Sequence, residues 1–128
     1  KSLQGNNFAL LGNAGEFLDP VFSSGVTIAM KSASMAAGLL DRQMKGETIN
    51  WETEYAIPLK KGVDAFRTFV TAWYDQRFQD IIFHHTQLDN VKAMICSILA
   101  GYAWDENNPY VKESERRVNV LAEICRAA

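Results

Sequence analysis

One stretch of the sequence, Gly12 to Met30, reads GNAGEFLDPVFSSGVTIAM and carries the residue types best suited to binding chemistry. Its glycines, the Asp19–Pro20 pair and a Ser-Ser-Gly run at 23–25 make a turn-rich loop that leads into an Ala-rich helical pattern. The first N–H groups of a helix have no partner inside the helix, and the helix dipole is positive there. The stretch therefore predicts a site for a phosphate, a carboxylate or an electron-rich ring oxygen.

The same residues also allow a purely structural interpretation. Ser23 or Ser24 can cap the helix, and Asp19–Pro20 can form an ordinary turn. The glycines permit positive φ and close approach of neighbouring backbone, which both interpretations require. Residue spacing alone leaves the ligand site and the structural turn open as alternatives.

A short strand and a long helix are the elements that must position this loop. Phe8–Leu11 is an apolar run that predicts one buried strand, and no partner strand is visible in the sequence. We expect its partner to come from another chain or from a preceding segment. The helix is predicted over Gly25–Lys45, is apolar on most sides and is therefore expected to be buried.

Helical periodicity also dominates the rest of the chain. An apolar stripe after Asn50 predicts a second helix that ends near Trp73, and Pro58 should kink or delay its start. Further helices are predicted around 78–82, across 91–102, and from Pro109 at position N1 to about Arg126. The fold class is mainly α, and the residues predicted to be buried are Phe66, Phe69, Val70, Trp73, Ile95, Ile98 and Leu121.

Composition limits the function classes. The chain has 128 residues and a formal net charge of −2, without a basic stripe, so nucleic acid is a poor partner. No apolar run reaches the roughly 18 residues that a membrane-spanning helix needs. The N-terminus has no signal peptide, and the chain looks cut from a longer protein.

The histidines and cysteines do not predict a metal site. His85 and Asp89 have helical i, i+4 spacing, but His84 would point to another face and no third ligand has suitable spacing. Cys96 and Cys125 lie outside any CxxC motif. We interpret them as reduced thiols of an intracellular, cytoplasmic protein.

The stretch LLGNAGEFLDPVFSSGVTIAM resembles the second flavin motif of FAD-dependent monooxygenases and reductases with the aromatic-hydroxylase fold. Its Asp-Pro-Val-Phe-Ser-Ser-Gly-Val segment is most similar to the branch of flavin-dependent halogenases and geranylgeranyl-reductase-like enzymes. FVTAWYDQRFQDIIF and ILAGYAW resemble the helical tail of that branch. The resemblance covers most of the chain, but the specific motif lies in its first part.

The resemblance implies a set of cofactor-binding residues. In that family the position of Asn13 usually holds Asp, which bonds the ribityl or pyrophosphate region of FAD, and many members have His where this chain has Thr27. The backbone after the Asp-Pro turn is implied to face the pyrimidine end of the flavin ring. No catalytic residue and no metal is implied. The implied FAD-binding residues are Gly12, Asn13, Asp19, Pro20, Ser23, Ser24, Gly25 and Val26.

The resemblance also implies how the chain is organised. Residues 1–46 correspond to the remnant of an α/β FAD-binding domain, a strand, a loop and a helix, and residues 47–128 to a helical C-terminal region. The family binds the ADP moiety of FAD with a Gly-x-Gly-x-x-Gly turn, which this sequence lacks. The missing N-terminal dinucleotide-binding domain is therefore the expected partner.

We accordingly interpret the chain as the C-terminal fragment of an FAD-dependent oxidoreductase, related to halogenases, monooxygenases and reductases. FAD is expected in the full-length protein, while the fragment alone should bind none and be inactive. Its small-molecule substrate is not identified, and apolar surface left by the missing domain predicts a homodimer of the fragment. The alternative is a small helical protein-interaction module without catalysis, which explains the helices but not the glycine-rich loop.

Overall fold

The computed structural model of the protein describes residues 2–85 and 89–127. Helices dominate it, which confirms the mainly α prediction. Two strands and two short 3-10 turns precede the first long helix. In chain order the elements are β1 (Gln4–Gly5), β2 (Phe8–Ala9), the 3-10 turns Gly12–Ala14 and Pro20–Phe22, α1 (Ser24–Met44), a π-helical turn (Glu52–Ala56), α2 (Ile57–Tyr74), α3 (Arg77–Ile82), α4 (Asp89–Leu99), α5 (Pro109–Lys112) and α6 (Ser114–Ala127).

The N-terminal strand has its partner within the chain. β1 and β2 pair antiparallel, with Gln4 opposite Ala9 and Gly5 opposite Phe8. The expectation of a partner from outside was wrong because a two-residue strand is too short to show an alternating pattern. Phe8 is also 53% exposed rather than buried, and its ring covers the space that a side chain on Gly5 would need.

Helix α1 begins and ends within one residue of its predicted limits, but it is buried on one face only. Ile28, Ser32 and Leu39 are buried. The opposite face is exposed, contrary to the expectation that the helix would be covered on most sides. The large apolar residues that are exposed on this helix are Val26, Met30, Leu40 and Met44.

The second helical segment starts at Asn50, as predicted. The Asn50 side chain accepts hydrogen bonds from the Glu52 and Thr53 N–H groups, at 3.1 Å each. A π-helical turn over Glu52–Ala56 then leads into α2. Pro58 was expected to kink or delay the start of this segment. The start is not delayed; instead, the winding is wider just before Pro58, which lies in the first turn of α2 and lacks an N–H donor.

The chain divides into two compact units, Lys1–Val63 and Asp64–Ala128, and the division falls inside α2. In the second unit the Phe69 and Phe78 rings pack edge to face, with centroids 6.0 Å apart. The predicted buried residues are buried except Trp73, which is half-buried.

Two helical predictions in the second unit need correction. The last helix is divided in two, because Glu113 between α5 and α6 has non-helical φ and ψ of −135° and 49°. Pro109 occupies the first turn of α5 as predicted. Tyr102 lies beyond the end of α4 and is 65% exposed, so it does not continue the buried stripe of that helix.

Candidate functional site

The candidate site begins at a backbone corner around Gly12. Gly12 has φ of +51°, in the left-handed region where glycine is favoured. A Cβ at this position would lie 3.1 Å from the Cβ of Ala29 on α1. The Gly12 N–H donates a hydrogen bond of 2.9 Å to Ser32 Oγ. Both the conformation and the close approach that the sequence suggested for this glycine are therefore present.

The buried hydroxyl groups of Ser32 and Tyr55 form hydrogen bonds with the backbone of this corner. Ser32 Oγ, which accepts from Gly12, donates to the Ala29 carbonyl at 2.9 Å. Tyr55 Oη donates to the Leu10 carbonyl at 2.7 Å, and the Tyr55 side chain is fully buried. Burial raises the pKa of the Tyr55 phenol, with a smaller opposing effect from a hydrogen bond to Ser32, so the phenol keeps its proton at neutral pH.

Sequence reasoning did not identify these two residues as part of the site. Tyr55 falls within the apolar stripe that predicts the second helix, and no sequence motif marks Ser32. A signal was available for Ser32, because it lies four residues after Ile28 on the face of α1 that also holds Leu39. A buried serine on such a face needs a hydrogen-bond partner.

The Asp19–Pro20 pair forms the turn that its residue types predict. Asp19 Oδ1 accepts a hydrogen bond of 2.9 Å from the Val21 N–H, and Pro20 occupies the first position of the 3-10 turn Pro20–Phe22. The turn predicted for this pair is therefore present. The turn directs the chain towards the start of α1.

The start of α1 is not capped by either serine. Ser23 has φ of 53°, and within the described residues its side chain makes no capping hydrogen bond. Ser24 is only 2% exposed, and its hydroxyl has no hydrogen-bond partner in the described part of the chain. The prediction that one of these serines caps the helix was therefore wrong.

Asn13 lies beside this uncapped helix start. A Cβ built on Gly25 would be 3.7 Å from Asn13 Oδ1, which is ordinary van der Waals contact. Asn13, Ser23, Gly25 and Val26 are all exposed. The fold thus brings the amide of Asn13 to the first turn of α1, where that turn contains no acidic residue. Such an arrangement can bind an electron-rich group through N–H donors and the helix dipole.

An open groove of about 640 Å³ lies next to the N-terminal hairpin in the first unit. Its lining includes Phe8 and Leu11 from the N-terminal segment, Ala33 and Leu40 from α1, and Trp51. The groove is largely apolar and contains none of the sequence-predicted site residues. The sequence does not predict this groove, because the Phe8–Leu11 strand and the face of α1 that line it were both expected to be buried.

The other candidates from the sequence do not assemble into a site. His84 and His85 lie between α3 and α4 with ring centroids 4.4 Å apart. In residues 2–85 and 89–127 no group of three or more His, Cys, Asp or Glu side chains could hold a metal ion. Among the helices described for this chain, none has the length and apolar character needed to cross a membrane.

Comparison with known proteins gives a consistent set of relatives, although no protein-family model matches the chain. The chain is 34% identical to 1H-pyrrole-2-carbonyl-(peptidyl-carrier protein) chlorinase of Pseudomonas fluorescens, over 96% of its own length. It is also 34% identical to a flavin-dependent halogenase of Penicillium aethiopicum, over 97% of its length. A crystal structure of a flavoprotein/dehydrogenase from Cytophaga hutchinsonii shares 45% identity, with a TM-score of 0.94 over 98% of this chain.

The chain matches only a part of each of these proteins. It spans 27% of the Pseudomonas chlorinase and 24% of the Penicillium halogenase. It covers 31% of the Cytophaga flavoprotein. The similarity therefore extends over nearly the whole of this chain but over about a quarter to a third of each relative.

Proposed function

We propose that this chain, a homologue of one portion of the flavin-dependent halogenases, forms the flavin-ring-facing part of an FAD-dependent oxidoreductase. In this proposal residues 1–46 belong to the FAD-binding domain, residues 47–128 form a helical C-terminal region, and a separate dinucleotide-binding domain completes the cofactor site. The chain alone is inactive.

The observation that carries the proposal is the uncapped start of α1. The Ser24 hydroxyl is buried and has no partner among the described residues, and the Asn13 amide lies beside the first turn of the helix. A helix start that lacks a side-chain cap leaves N–H groups in need of an acceptor. An electron-rich ring edge supplies acceptors at this position, so the residues present fit a flavin.

In the proposed complex each residue type has a distinct task. FAD, when bound, supplies the electron and hydride chemistry of the parent enzyme. The Ser24 and Gly25 N–H groups and the α1 dipole stabilise negative charge on the bound ring. Asn13 offers an uncharged amide where an Asp would carry a charge, and Asp19–Pro20 shapes the loop that lies against the ring. Gly12, which is buried, shapes the corner of this loop, and the exposed Val26 completes the contact surface.

The proposal is tested by placing a negative charge at the open helix start of the full-length protein. The fold has room for Gly25→Asp, since among the described residues a Cβ there meets only Asn13 within 4 Å. We expect FAD affinity to fall at least about tenfold, equivalent to about 1.4 kcal/mol. The same change should not destabilise the unliganded protein, because a carboxylate is favourable near a helix N-terminus.

The matched control for this experiment is Gly38→Asp. Gly38 is exposed on the same helix, and a Cβ there meets no atom of the described part of the chain within 4 Å. Titration of each apoprotein with FAD, followed by visible absorbance, should show near wild-type affinity for Gly38→Asp. Equal affinities for the two variants would overturn the assignment of the α1 start to the flavin site. Failure of the wild-type protein to bind FAD would overturn the proposed function itself.

A second expectation concerns the isolated 128-residue chain. The exposed apolar residues of α1, including Met30 at 69% and Met44 at 81% exposure, are covered in the proposal by the remaining length of the parent protein. Without that cover, two copies of the chain should pair through this face. Sedimentation equilibrium at tens of micromolar should show a dimer or larger species without detectable FAD binding. A monomer would contradict this expectation.

A further inference from the structure

The side chains of Ser32 and Tyr55 reach the candidate loop from two different elements. Ser32 belongs to α1 and is fully buried, and Tyr55 belongs to the π-helical turn and is fully buried as well. Their hydroxyl groups bond the Gly12 N–H and the Leu10 carbonyl, at 2.9 and 2.7 Å. The two bonds therefore fix the backbone on both sides of Leu11.

These two hydrogen bonds are made where β2 has ended and the 3-10 turn begins. Backbone hydrogen bonds also hold this segment: the Leu10 N–H donates to the Leu3 carbonyl at 2.8 Å, and the Gly12 carbonyl accepts from the Gly15 N–H at 3.1 Å. β2 ends at Ala9, and the 3-10 turn begins at Gly12. Leu11 between them is 40% exposed and provides little packing to hold the corner. A buried N–H or carbonyl without a partner is costly, so the two hydroxyl groups stabilise this corner conformation in addition to the backbone bonds.

The orientation of the corner decides where Asn13 lies. Asn13 follows Gly12 in the same 3-10 turn, and its Oδ1 lies 3.7 Å from the position that a Cβ on Gly25 would occupy. The Ser32 bond attaches this turn directly to α1, the helix whose N-terminus Asn13 approaches. A shift of the corner would change the distance between the Asn13 amide and the first N–H groups of α1.

We propose that Ser32 and Tyr55 are positioning residues that hold Asn13 against the start of α1 and thereby set the affinity and reduction potential of the bound flavin. The proposal rests on the proposed flavin site. Neither side chain touches the cofactor, because both are buried behind the loop. Their effect is preorganisation: the loop is held in the binding geometry before the ligand arrives.

The test uses the full-length protein with Ser32→Ala and Tyr55→Phe as separate variants. Tyr55→Phe removes one oxygen atom and keeps the ring, so it carries the test if Ser32→Ala does not fold. The matched controls are Ser34→Ala and Tyr102→Phe, at exposed positions of the same residue types. Far-UV circular dichroism first establishes that each variant is folded.

Three readouts are then compared. We expect the Kd for FAD to rise about threefold to tenfold in each variant, the range that loss of one hydrogen bond predicts. We expect a more negative reduction potential, because the helix N-terminus is less well aligned with negative charge on the reduced ring. In the apoprotein, hydrogen exchange of the Gly12 amide should accelerate in Ser32→Ala and remain at the wild-type rate in both controls.

The outcomes separate this inference from the function on which it rests. A wild-type protein that binds no FAD overturns the proposed function and this inference with it. A wild-type protein that binds FAD, with folded variants that match it in Kd and potential, overturns only the positioning role. A purely structural role would lower stability and leave the potential of the bound flavin unchanged.

Discussion

Two helical segments in the first unit start with residues of similar capping ability, yet their starts differ. At Asn50 the start is closed by side chains: Asn50 Oδ1 accepts from two N–H groups, and the Asn50 N–H donates to Glu54 Oε1 at 3.1 Å. Bonds from Arg42 and from the Asn50 N–H lower the pKa of Glu54, so this carboxylate stays ionised at neutral pH. The chain satisfies this helix start without any ligand.

At Ser23 and Ser24 the start of α1 is open. Ser23 has a left-handed backbone, and its hydroxyl does not turn back onto the helix. Ser24 is one position further on, where its hydroxyl is buried without a partner in the part of the chain that the structure describes. Serine caps helices well when its backbone is extended, so the difference is conformational. A residue type that suits capping is thus no proof of a cap.

The largest change in stability is expected from Asn50→Ala. It should lower the free energy of unfolding by about 1 kcal/mol, since two N–H groups lose their acceptor. Ser23→Ala should change it by less than about 0.3 kcal/mol, because no capping bond is lost. Urea unfolding followed by circular dichroism measures both differences.

The control for this pair is Asn50→Asp. A carboxylate retains the acceptor and adds a favourable charge at the helix N-terminus, so stability should stay at or above the wild-type value. If Ser23→Ala proved as costly as Asn50→Ala, Ser23 would be a cap after all, and the α1 start would be closed.

The contrast between the two starts also shows what the sequence could predict. The limits of α1, the cap at Asn50 and the turn at Asp19–Pro20 each follow from local residue preferences, and all three are confirmed. The β1 partner of β2 was not predictable, because two-residue strands carry no periodic signal. The Ser32 and Tyr55 bonds join residues 20 and 45 positions apart, a separation that local patterns do not encode.

The prediction of α1 burial failed for a different reason. The apolar residues of α1 lie on most of its sides, and each such side is suited to pack against another element. The rest of this chain covers only the face with Ile28, Ser32 and Leu39. The exposed face with Val26 and Met30 therefore marks a contact that the chain does not make with itself. The assignment of Asn13 and Gly25 to the cofactor site remains a prediction from the motif. The structure adds that the two residues lie next to each other.

A second, smaller effect is expected from Ser23→Gly. A left-handed backbone costs a non-glycine residue about 1–2 kcal/mol, part of which is offset by the greater entropy of glycine in the unfolded chain. We expect a net stabilisation of about 0.5 kcal/mol in urea unfolding. Gln76→Gly, at φ of 70° before α3, is the matched variant and should give a similar gain.

Ser23→Gly also tests whether the Ser23 side chain contacts the ligand. Ser23→Gly keeps every backbone N–H of α1, so FAD affinity of the full-length protein should stay within about twofold of wild type, or about 0.4 kcal/mol. A larger loss would mean that the Ser23 side chain itself contacts the ligand, and the proposal of a backbone site would need revision.

The smallest effect on stability is expected from Ser24→Ala. The Ser24 hydroxyl is buried without a hydrogen bond among residues 2–85 and 89–127, so its removal breaks no bond and removes a desolvated polar group. Alanine also has the higher helix propensity, by a few tenths of a kcal/mol. The free energy of unfolding should therefore stay constant or rise by about 0.5 kcal/mol. FAD affinity of the full-length protein should stay within about twofold of wild type, because the variant keeps the Ser24 N–H that the proposed site uses. Ser34→Ala, at an exposed position of the same helix, controls for the propensity gain and should leave FAD affinity unchanged.

A stability loss above about 1 kcal/mol for Ser24→Ala would show that the hydroxyl already has a hydrogen-bond partner within the protein. The start of α1 would then be as complete as the start at Asn50, and it would need no ligand.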